Sequence, residues 1–166
     1  MRRTTLVLGA LSLVLAATTA RAQDKPNFSG SWTRVEDPNA PAAGGRGGRG
    51  GGRGGLGAAA TLMQDASTLT ITRTTQAGEI KTVYKLDGSE SKNMMTMGGN
   101  QVEQVSRATW EGARLVVTTS YDIGGNMVST KQVFALDASG QLVVETTTPG
   151  RGGGEPTTAT QTYKKG

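Results

Sequence analysis

Chemistry in this chain has few side chains to work with. Its 166 residues include no histidine and no cysteine, which excludes metal sites built on nitrogen or sulfur ligands and catalysis by thiol or imidazole. The carboxylates of Asp87, Asp122 and Asp137 stand in turn signals, where aspartate accepts backbone N–H bonds, and no spacing pairs two of them as acid and base. The residues therefore read as those of a non-enzyme without a cofactor. Met94, Met95 and Met97 offer soft thioether sulfurs that suit Cu(I), but methionine more commonly fills irregular apolar gaps, and no metal site is assigned to them. What remains are groups that hold a molecule without changing it. Tyr84, Tyr121, Phe134 and Tyr163 can line an apolar interior, and Arg73, Arg107 or Gln161 can meet a polar head group.

Strands are the elements that must position these side chains. Leu69-Thr70-Ile71-Thr72-Arg73-Thr74 alternates apolar and polar, and Leu115-Val116-Val117-Thr118-Thr119 and Leu142-Val143-Val144-Glu145-Thr146 answer to it. Each is followed by a glycine-containing turn signal and a second extended run with a late aromatic: Tyr84, Phe134 or Tyr163. Residues 28–35, 91–97 and 101–110 add further strands, and no helical period intervenes. The pattern predicts an all-β, antiparallel up-and-down meander closing into a barrel of about eight or nine strands, with an open sandwich as the alternative. One face of these strands carries Leu69, Ile71, Leu86, Leu115, Val117, Leu142 and Val144 with Thr82, Gln104, Ser106, Thr119 and Gln161. A face so mixed fits either barrel ends near water or a wet cavity with an apolar floor.

The start of the chain has the form of a secretory leader. Met1-Arg2-Arg3 is positive, residues 6–17 are apolar, and Ala20-Arg21-Ala22 resembles a cleavage site, which predicts a signal peptide over 1–22, cleavage near Ala22 and a secreted or periplasmic product. No later stretch is long and apolar enough for a membrane-spanning helix. Residues 23–166 read as a single, monomeric domain, interrupted at about 38–62 by a Gly/Arg-rich insertion too glycine-dense to order itself. Without the leader the charge balance is +2, and without Arg46, Arg49 and Arg53 as well it is −1. The folded part is close to neutral, so no nucleic-acid face is expected on it.

Phe28-Ser29-Gly30-Ser31-Trp32 resembles the first-strand Gly-x-Trp signature of the calycin group, the lipocalins and fatty-acid-binding proteins. With Lys85-Leu86-Asp87-Gly88-Ser89-Glu90 and Trp110-Glu111-Gly112 before Leu115-Val116-Val117, the chain is most similar to small secreted bacterial proteins with a lipocalin-like barrel. The resemblance implies that Gly30 and Trp32 form a structural signature at the closed end, under a basic side chain of the last strand, Lys164 or its neighbour Lys165. It also implies a carboxylate-holding Arg and Tyr on that strand, but the matching positions here are Gln161 and Tyr163, with Arg73 and Arg107 able to substitute from other strands. The expected function is binding of a small apolar or amphipathic ligand. The alternative is a structural or interaction module of the cell envelope, with a filled barrel and the Gly/Arg stretch turned to a partner.

Overall fold

Alternating side chains become strands because each carries one face for the core and one for water. The computed structural model describes residues 25–36, 55–75, 78–97, 99–150 and 154–166. Residues 1–24, 37–54, 76–77, 98 and 151–153, and with them the expected leader, most of the expected insertion and part of the expected turn at Gln76-Ala77-Gly78, lie outside the described residues. Among the described residues ten strands follow one another: β1 (Gly30–Arg34), β2 (Ala59–Gln64), β3 (Thr68–Thr75), β4 (Gly78–Lys85), β5 (Glu90–Met97), β6 (Asn100–Glu111), β7 (Arg114–Ile123), β8 (Asn126–Leu136), β9 (Leu142–Thr148) and β10 (Thr157–Lys165). All pair antiparallel in one sheet of order β4-β3-β2-β1-β10-β9-β8-β7-β6-β5. Among the described residues there is no helix, and hence none that is long and apolar enough to cross a membrane.

The sheet curls into a nearly closed barrel. Its two edges, β4 and β5, meet through side chains in place of a main-chain ladder. The Asn93 amide accepts from Val83 N–H at 2.8 Å and donates to Val83 O at 3.0 Å, and Ser91 Oγ accepts from Lys85 N–H at 2.8 Å. Glycine makes the tight connections: Gly124 and Gly125, at φ 61° and 85°, form the two-residue turn between β7 and β8, with Asp122 capping the Gly125 N–H at 2.8 Å.

The strand count corrects the sequence expectation of about eight or nine. The strand missed is β2, which occupies the end of the span assigned to the Gly/Arg-rich insertion. Ala59 and Ala60 give it no bulky alternation to read, yet Ala60 and Leu62 are buried. Ala60 registers opposite Trp32, where a small residue leaves room for the indole.

The lower end is sealed by aromatics. Phe28, wholly buried, stacks on Trp110 at 5.8 Å between ring centroids and tilts against Phe134 at 6.2 Å. Trp32 Nε1 donates to Phe28 O at 2.8 Å, so the first strand and the plug before it are tied together. Leu69, Leu115, Leu142 and Val144 complete a dry floor, all of them fully buried. Each aromatic pair adds roughly 0.5–1.5 kcal/mol beyond burial itself.

Candidate functional site

On β3 the inward positions run Leu69, Ile71, Arg73, so the strand that builds the floor carries a cation to the upper interior. Arg73 is half-buried and registers with Ile80 of β4. Its Nη1 donates to Gly55 O at 3.1 Å, while Nε is buried without a hydrogen-bond partner among the described residues. From β10, Tyr163 and Gln161 face inward, two residues apart as strand alternation requires. The Tyr163 hydroxyl donates to Gln161 Oε1 at 2.5 Å and accepts from Leu56 N–H at 3.1 Å. Arg73, Gln161 and Tyr163 are thus gathered around residues 55 and 56. An open hollow of about 670 Å³ lies beside them, bordered by Trp32, Leu56, Arg73, Ile80 and Thr96.

Across the lumen, Tyr84 is buried and hydrogen-bonds the Thr119 side chain, which in turn shares a 2.8 Å bond with Ser106. Three strands, β4, β6 and β7, meet in this polar relay. Burial pushes the Tyr84 phenol above its ordinary value, opposed by the Arg73 charge and the bond to Thr119. Tyr163 is pushed up in the same way, opposed by the Leu56 N–H and by the charges of Arg34 and Arg73. Both phenols therefore stay protonated at neutral pH, as neutral hydroxyl groups beside a permanent cation.

The other sequence-predicted residues take different places. Phe134 belongs to the sealed floor, below the polar groups. Tyr121 is half-buried on the inner face near the rim, in register with Gln104 and Val128. Arg107 does not face the interior: it is exposed on the outer face between inward Ser106 and Ala108, and pairs with Glu90 at 2.7 Å and Gly88 O at 3.4 Å. The same parity decides the signature cation. Lys164 is exposed and registers with Thr33, whereas Lys165 Nζ sits 5.7 Å from the centre of the Trp32 ring. Gly30 makes this possible, since a Cβ there would stand 2.5 Å from Lys165 Cε. Alternation also parts the methionines, with Met94 exposed outside and Met95 and Met97 on the inner side.

Sequence reasoning missed Gly55 and Leu56. Leu56 is a single apolar residue among glycines and alanines, with no period to betray it, yet it is 3 % exposed and belongs to the core cluster. Among the described residues no three carboxylates gather into a possible metal site. The arrangement can hold an anion or a carbonyl oxygen over apolar contacts; it presents no nucleophile with a base beside it. No protein-family model matches the chain, and no curated protein matches it.

Proposed function

We propose that this chain is a non-catalytic, lipocalin-like binding protein for a small amphipathic molecule, exported with cleavage near Ala22 and acting as a monomer. The observation that carries this reading is Arg73, a cation turned into a barrel whose floor is apolar, with a buried Nε that no group among the described residues satisfies. Arg73 with Tyr163 and Gln161 meets the head group, and the hollow beside Trp32 and Ile80 takes apolar parts of the ligand. Titration of anilinonaphthalene sulfonate and octanoate against the purified protein tests it. Saturable binding is expected, weakened roughly tenfold to a hundredfold in Arg73→Gln, the value of a charge-assisted hydrogen bond. Absence of saturation with either probe rejects the carrier reading.

A second reading, a structural or interaction module of the envelope, draws support from the polar relay of Tyr84, Thr119 and Ser106 across the barrel interior. In that case deletion of residues 44–54 releases the protein from envelope fractions. Unchanged association rejects it.

A further inference from the structure

The head-group position in the upper interior has an occupant, and it is part of the chain. Leu56 places its side chain in the core cluster with Trp32, Ile71 and Tyr163. Its N–H bonds the Tyr163 hydroxyl and the carbonyl just before it, Gly55 O, bonds Arg73 Nη1, both at 3.1 Å. A Cβ at Gly55 would overlap the Gln161 amide oxygen, so the backbone itself is pressed against the polar trio. An oxygen on a guanidinium with a branched aliphatic group beneath it is the layout of a short amphipathic acid.

We infer that Gly55-Leu56 is a built-in surrogate ligand, and that a molecule with a carboxylate head and a compact aliphatic tail binds by displacing it. This rests on the carrier reading above and adds that binding competes with the chain itself. The neutral Gly55 carbonyl is a poor match for Arg73: it takes one N–H and leaves Nε without a partner among the described residues. A carboxylate accepts two parallel N–H bonds from a guanidinium and is the stronger partner. The tail then replaces the contacts given up by Leu56. On the β2 side the segment stays anchored, because Arg34 N–H donates to Ala58 O at 2.8 Å.

While the segment is seated the site is closed to ligand, and the apparent affinity falls by the fraction of molecules in which it has left. Calorimetric titration with octanoate of the wild type and of Leu56→Ala is the test, joined by hydrogen exchange at the Leu56 amide of the wild type. Leu56→Ala should bind about tenfold more tightly, and saturating octanoate should speed exchange at Leu56 while leaving the strand amides protected. Equal affinities of the two proteins, or octanoate binding with Leu56 still protected, overturns displacement and leaves the carrier reading standing. Octanol binding as tightly as octanoate overturns the carboxylate assignment. Failure of octanoate and anilinonaphthalene sulfonate to bind either protein overturns both the carrier reading and this one. Should Leu56→Ala lose its sheet signal in circular dichroism, the exchange measurement on the wild type decides alone.

Discussion

Buried phenols and exposed carboxylates set the pH limits of this protein from opposite sides. Tyr84 and Tyr163 have folded values raised above 10.0 by burial, so the fold holds their protons more tightly than the unfolded chain does. Their contribution is whole below pH 10.0 and is lost as pH rises from there through the folded values. Tyr84→Phe should remove one late-titrating phenol from the phenolate absorbance curve and flatten the alkaline fall in stability. Asp65 works in reverse. Its carboxylate accepts from the backbone N–H groups of Ser67 and Thr68, at 2.7 Å each, and from both their hydroxyls. Those bonds, the Ser67 N–H foremost, hold it well below its ordinary 3.8. Its contribution is whole above 3.8 and declines as pH falls towards the folded value. In Asp65→Asn, the difference between urea midpoints measured at pH 7 and pH 2 should shrink; an unchanged difference would remove Asp65 from the acid response.

Among the elements, β4 and β5 are hydrogen-bonded to each other, among the described residues, through the side chains of Asn93 and Ser91. Asn93→Ala leaves the Val83 N–H and C=O without their partner, which should lower stability by about 1–3 kcal/mol and speed exchange at the Val83 amide. Asn93→Asp keeps the acceptor but not the donor, and should fall between the two. Nothing in the sequence marks this junction, because Ser91 and Asn93 read as ordinary polar strand residues. Parity, by contrast, was fully legible. Alternation from Tyr163 puts Lys165 on the Trp32 face and Lys164 on the other, which chooses between the two lysines the resemblance offered, and alternation from Ser106 puts Arg107 outside, where its charge had suggested the interior. β2 escaped notice because Ala59 and Ala60 lack bulk. Leu56 escaped because a lone apolar residue has no period, and its burial is decided by partners on β3 and β10 that are distant in the chain.

For the molecule as a whole, the seal at the lower end is the principal apolar investment of the fold, joining Phe28 to Trp110, Phe134 and, through its carbonyl, Trp32. Phe28→Ala should cost about 3–5 kcal/mol by denaturant titration and shift tryptophan emission to the red as Trp110 meets water. Phe28→Leu, which conserves most of the volume, should cost under about 1.5 kcal/mol. The antiparallel barrel and its inward residues could be read from the sequence because period-two patterning is local. That the meander closes was read as well; which side chains fasten the last edge to the first was not, since that depends on where β4 meets β5. That closure makes the barrel a hoop with one clasp. Nine of its lines are stitched by main-chain ladders, and the clasp by three bonds from two short side chains. A change of girth therefore has one inexpensive place to happen, between Val83 and Asn93, and every stitched line can stay intact while the wall lets out.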